Sequence, residues 1–258
     1  MHDELKLLLD WEMDTPELHV EWDPNLLHLS AAASDYIDKR WNVYQAAAKS
    51  EGRMLFNGPI TRLISARLEK TPAVARAILR LGPADYKSFV VTRLRDRPWF
   101  DAHDPDAAVL ALGNSALLTH GNHALLGIRS QKVSAYPGRA HLFGGVAELL
   151  NTEKFPATTQ GLIAHLRLEL HEEAEILSGE LAPQGPQPLG LALDEYLGQP
   201  ELSWRWETTV PLETIARRLD AEEHSGHILI DRRRLSDVDQ THLTPVARRT
   251  IQVWALQK

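Results

Sequence analysis

The chain has 258 residues, 43% of them apolar and 24% charged, which is enough to bury one large core. Its formal charge of −7 disfavours a nucleic-acid partner, which has to be held by neutralising phosphates. With no cysteine, disulfides, thiolate metal sites and a cysteine nucleophile are excluded together.

Near the start, Asp3, Glu4 and Lys6 interrupt the leucines of an amphipathic stretch, which fits neither a signal peptide nor an anchor. No apolar run approaches the roughly 20 residues of a membrane helix, so a cytoplasmic protein with no membrane partner is expected. Leu18 to Trp22 alternates apolar and polar side chains and predicts a strand. From Ser30 or Ser34, the spacing of Tyr36, Ile37, Trp41, Tyr44 and Ala48 predicts a helix ending near Gly52. Thr61 to Glu69 and Ala75 to Leu81 read as the two strands of a hairpin, whereas Ala84 to Thr92 suits helix or strand equally. Polar residues and Pro105 cluster over 101–106, so a boundary is expected there, with an N-terminal α/β extension over 1–105 and a main domain over 106–258.

Beyond it, Ala107 to Thr119 and Ala124 to Ile128 flank His120-Gly121-Asn122-His123, a hairpin turn in which glycine and asparagine tolerate positive φ. A short strand into Gly144-Gly145 follows, then a helix from about Thr159 to Leu177. Strands near Leu189 to Leu193, Trp204 to Val210 and His227 to Ile230, with helices near Leu212 to Leu219 and Thr244 to Leu256, complete a pattern of the α/β class.

The long helix carries the chemistry. At 100° per residue, Glu169, Glu172 and Glu173 fall within an arc of roughly 100°, beside the apolar stripe of Ile163, Leu166, Leu170, Ala174 and Leu177. Like charges at these spacings repel, and each such pair costs an isolated helix a few tenths of a kcal/mol. A divalent cation reverses that sign, and Mg²⁺ or Mn²⁺ takes such hard oxygen ligands together with water and phosphate. The alternative is a solvated acidic face.

The order of strand, double glycine, loop and carboxylate helix resembles the Nudix box, Gly-x5-Glu-x7-Arg-Glu-U-x-Glu-Glu-x-Gly-U, with U apolar. His141 to Glu148 is similar to its beginning and Glu169 to Ile176 to its core. Three departures stand out. Leu168 replaces the arginine, Glu175 replaces the glycine, and the intervening loop is about nine residues longer. An irregular box with an expanded loop looks like the UDP-glucose and UDP-galactose hydrolase branch of that superfamily. Trp41, Leu55-Phe56-Asn57, Arg62 to Leu68, Leu79 to Gly82 and Asp85 to Phe89 are similar to what that branch shows before its hydrolase domain.

The resemblance implies an α/β/α sandwich with a mixed sheet plus an N-terminal α/β extension. It also implies metal-dependent cleavage of a UDP-sugar to UMP and sugar 1-phosphate. Glu169, Glu172, Glu173 and the Gly145 carbonyl would hold the metal, with Glu172 or Glu173 also the base, and Glu223, with Glu222 behind it, is the candidate for a distant acidic ligand, against a solvated loop acid as the alternative. Arg139, Gly144 and Tyr86 are the candidate substrate contacts, against a surface arginine and a core tyrosine as the alternatives. Rival readings are the same chemistry on ADP-ribose, NADH or CoA, and a degenerate domain that binds a nucleotide or a protein without cutting.

Overall fold

The computed structural model describes residues 4–9, 16–52, 54–70 and 75–257. Of the amphipathic start, residues 1–3 and 10 therefore lie outside the described residues, and the rest is a strand, β1 (Leu5–Leu9). Next come β2 (Glu17–Trp22), α1 (Ala31–Ser50), β3 (Pro59–Lys70) and β4 (Ala75–Asp85). Ser30 caps α1 by accepting from the Ala33 amide, as its place before the periodic residues predicts. The stretch that suited either state divides: Ala84 and Asp85 end β4, and α2 (Tyr86–Phe89) then runs into a π-type segment over Val90–Arg95. α3 (Arg97–His103) and a 3₁₀ turn at Pro105–Ala107 then occupy the expected boundary, with Phe100 and Ala107 fully buried.

The hairpin appears as β5 (Gly113–His120) and β6 (His123–Arg129), with Gly121 at φ 58° in its turn. β7 (Ala140–His141), β8 (Phe143–Val146) and α4 (Thr159–Ala174) follow. After them come β9 (Gln187–Asp194), β10 (Gln199–Glu207), α5 (Leu212–Ala216), β11 (His224–Asp231) and α6 (Pro245–Leu256).

The large sheet runs β1-β9-β10-β5-β6-β11, with β7 on β6 and β8 on β5. It is mixed, because β10 pairs with β5 in parallel and the other neighbours are antiparallel. Strand alternation divides its side chains between two layers. Ala116, Leu118, Leu125, Trp204 and Trp206 pack with Leu162, Leu166 and Leu170 of α4, while Leu117, Ala124 and Leu126 pack with Val246, Ile251 and Trp254 of α6. The result is an α/β/α sandwich. No helix among the described residues is long and apolar enough to cross a membrane.

The N-terminal third is stitched to this sandwich by main-chain groups. A three-stranded sheet, β2-β4-β3, packs with α4 and the large sheet in one apolar cluster. Thr61 in β3 donates its amide to the Ala147 carbonyl (2.9 Å) and accepts from the Leu112 amide (2.9 Å). β1 pairs with β9 inside the large sheet itself, with Leu5 opposite Asp194.

Candidate functional site

The site is built on β8 and α4. β8 lies antiparallel to β5, with Gly144 opposite Ser115. Gly144 has φ 133°, and a Cβ there would stand 2.3 Å from the Asn114 carbonyl oxygen, so only glycine fits. Thr158 caps α4 by accepting from the Gly161 amide at 3.3 Å. Leu162, Leu166, Leu170 and Ala174 fix the roll of the helix by burial. That roll places two of its carboxylates against the glycines.

Glu173 Oε1 accepts a hydrogen bond from the Gly144 amide (2.9 Å), and its Oε2 lies 2.9 Å from His224 Nε2. Burial pushes the Glu173 carboxyl up from its ordinary pKa and the nearby Glu169 adds to that, against the opposing pull of His224 and the Gly144 amide. A loop fixes His224 on the helix: the Asp220 amide donates to the Glu173 carbonyl and the His224 amide to the Asp220 carbonyl, each at 2.8 Å. Gly127 leaves room for the imidazole, since a Cβ there would meet His224 Nδ1 at 2.3 Å.

Glu169 sits at the next glycine. A Cβ on Gly145 would stand 2.8 Å from Glu169 Oε2. Glu169 Oε1 is 3.1 Å from Nε2 of the fully buried His165, without the alignment of a hydrogen bond. Four of the predicted residues, Gly144, Gly145, Glu169 and Glu173, are thus brought together. Glu172 and Glu223 are exposed, and Glu223 contributes its carbonyl to the Ser130 amide (2.8 Å). Arg139 lies over the Tyr136 ring, 5.3 Å from its centroid.

Among the described residues, no three His, Asp or Glu side chains gather as a ready cluster for a metal ion. The donor chemistry nonetheless suits a hard divalent cation, because Glu169 Oε2 accepts no hydrogen bond from the described residues and Glu172 projects from the same helix face. Glu173 has both oxygens engaged.

Two hollows meet at this strand. A wide groove of about 580 Å³ is lined by Glu169, Glu148, Lys154, Phe56 and Phe155. A narrower pocket of about 140 Å³ is lined by Gly144 and Gly145 together with His141, Asp194, Glu201 and Arg129. Tyr86 and Val146 border both. Burial raises the Tyr86 phenol pKa.

In the pocket, Ser115 Oγ donates to Glu201 Oε1, which is also 3.1 Å from His141 Nε2. His141 Nδ1 is 2.6 Å from Thr244 Oγ1. Burial alone would push Glu201 up, but the charge and hydrogen bond of His141 and the Ser115 hydroxyl hold its carboxyl below the usual range. Asp194 is pushed up by burial, and accepts from the Tyr136 hydroxyl (2.8 Å) and the Leu197 amide (3.0 Å).

The sequence reading missed His224, His165, Glu201, His141 and Arg129. Only His165 left a local signal, lying one helical turn before Glu169.

No protein-family model and no curated protein matches the chain. Among the solved structures to which it is similar are three Nudix proteins. A MutT Nudix hydrolase from Burkholderia pseudomallei is 18% identical, with a TM-score of 0.38 over 55% of this chain and 95% of that one. A mutT/nudix family protein from Listeria innocua is 16% identical, with a TM-score of 0.38 over 56% and 90%. A Nudix hydrolase from Nitrosomonas europaea is 14% identical, with a TM-score of 0.36 over 74% and 85%.

Proposed function

We propose that this chain is a metal-dependent Nudix-type hydrolase that cuts the diphosphate of a nucleoside diphosphate linked to another group, with UDP-glucose or UDP-galactose as substrate. The observation that carries the reading is the docking of the helix carboxylates on the double glycine: Glu173 on the Gly144 amide and Glu169 beside Gly145. That arrangement joins the two halves of the motif across the expanded loop.

Glu169, Glu172 and the Gly145 main chain would hold Mg²⁺ or Mn²⁺. When bound, such an ion supplies a lowered pKa for water and neutralises charge building on the diphosphate oxygens. Glu172, exposed on the helix, would accept the proton as the water oxygen bonds to phosphorus and the bridging P–O bond breaks. Glu173 keeps the glycine strand and the helix in register. Tyr86 stands where the two hollows meet and orients the substrate across them.

The full-length chain should be tested with Mg²⁺ or Mn²⁺ against UDP-glucose, UDP-galactose, ADP-ribose, NADH and CoA, with products identified. UMP plus hexose 1-phosphate supports the reading, and its loss in Glu169→Gln and Glu172→Gln supports the roles. A second reading, a binding module without turnover, is favoured by the engagement of both Glu173 oxygens and by Leu168 in place of arginine. Tight UDP-glucose binding with no product from any substrate would select it.

A further inference from the structure

The narrow pocket behind β8 contains more polar capacity than its internal bonds use. Glu201 is 8% exposed and Oε1 carries both of its protein contacts, leaving Oε2 with no hydrogen bond from the described residues. Arg129 uses Nε on the Ala135 carbonyl (2.7 Å), and its two terminal nitrogens donate to none of the described residues. Gln199 lies two residues from Glu201 on the same face of β10. Gly113 opposite them is required: a Cβ there would stand 2.9 Å from Glu201 Cγ and 3.1 Å from Gln199 Nε2.

The open groups are thus an acceptor, two donors and an amide offering both, all bordering one hollow. A phosphate is disfavoured beside the Glu201 and Asp194 carboxylates. A uracil imide could pair its N–H with Glu201 and its carbonyls with the donors, but it has no second donor for the Gln199 amide oxygen. Ring hydroxyls satisfy every open group, since each both donates and accepts.

We infer that this pocket is the subsite for the hydroxyl-bearing sugar ring of the substrate, with Glu201 Oε2 accepting from its hydroxyls and Arg129 and Gln199 donating to them. The inference rests on the reading of the chain as acting on a nucleotide sugar. It makes Glu201 a specificity-determining residue remote in sequence from the carboxylate helix. The carboxylate that reads the sugar stands on the opposite side of the glycine strand from those proposed to hold the metal.

Calorimetric titration of the full chain in EDTA with UDP-glucose and with UDP tests it independently of turnover. The parent should bind UDP-glucose about tenfold more tightly than UDP, as expected for a hydrogen bond to a charged group. Glu201→Gln should remove that preference and leave the UDP affinity unchanged, which also shows that the variant is folded. Gln199→Ala, nearer the strand end, should reduce the preference about threefold, as loss of a neutral hydrogen bond does.

Equal binding of both ligands by the parent, no binding of UDP-glucose, or a preference retained in Glu201→Gln overturns the inference. So does a fall in UDP affinity in that variant, which would assign the pocket to the base. Product formation from UDP-glucose with the preference intact in Glu201→Gln sinks the subsite but leaves the hydrolase reading standing. Loss of the preference without any product formation does the reverse.

Discussion

His224 Nε2 lies 2.9 Å from Glu173 Oε2, joining the first residue of β11 to the carboxylate helix across 51 positions of sequence. An ionised carboxylate only accepts, so the imidazole donates. His224→Ala leaves a buried carboxylate oxygen unpaired, and about 2 kcal/mol of stability should be lost. If the hydrolase reading holds, kcat should fall about 10- to 100-fold. Gly127→Ala should reproduce the loss in kcat without substituting either residue, because its Cβ would occupy the place of the ring. Wild-type rates in Gly127→Ala would mean that the His224 position is unimportant.

The raised pKa of Glu173 fixes the sign of a pH effect. Its folded value lies above its ordinary 4.5, so the stability it contributes is present below about pH 4.5 and lost as pH rises through the folded value. Ionising it is therefore a cost to the metal-free protein. In EDTA, Glu173→Gln should melt a few degrees above the parent at pH 8, with a smaller difference at pH 5. A variant that melts below the parent at pH 8 would contradict this.

The two adjacent glycines should respond differently to the same methyl group. Gly144→Ala combines a positive φ with a 2.3 Å contact to the Asn114 carbonyl, so about 3 kcal/mol or more should be lost. In Gly145→Ala the added carbon meets only the end of the Glu169 side chain, at 2.8 Å. That carboxylate can swing aside. Thermal melting should barely change, while under the hydrolase reading turnover drops by at least about tenfold as a proposed ligand is displaced.

Glu175 ends α4 with φ 50° and ψ 32°, the left-handed conformation that glycine adopts most readily. A side chain there costs about 1–2 kcal/mol, partly offset by the greater chain entropy of glycine when unfolded. Glu175→Gly should therefore stabilise the protein by roughly 0.5–1 kcal/mol in denaturant unfolding. A destabilised variant would show that the glutamate side chain contributes more than its backbone strain costs.

Residues 1–105 and 106–258 should behave as one cooperative unit, since β1 lies in the large sheet and Thr61 bonds to Ala147 and Leu112. The full chain should unfold in a single calorimetric transition. A fragment of residues 106–258 should expose the β9 edge and aggregate, and a soluble fragment with its own sharp transition would refute this.

What the sequence disclosed was what is local. The periodicity of α4, the Ser30 cap and the turn at Gly121 depend on neighbours a few positions away, and each is found where the spacing puts it. The helix stops at Ala174 instead of Leu177 because Glu175 turns left-handed, which nothing in its side chain announces. His224 and Glu201 were illegible for another reason. Each acquires its role from strands brought in from distant sequence: β11 carries His224 to α4, and β10 carries Glu201 to Ser115, 86 positions away.

The pairing of Leu5 with Asp194 has a consequence for how the molecule is made. During synthesis β1 leaves the ribosome long before its partner strand exists, and it cannot settle until β9 has followed it out. Such a distant contact raises contact order and slows folding. Through that interval a leucine-rich segment stays unpaired, an edge on which partly made chains can associate.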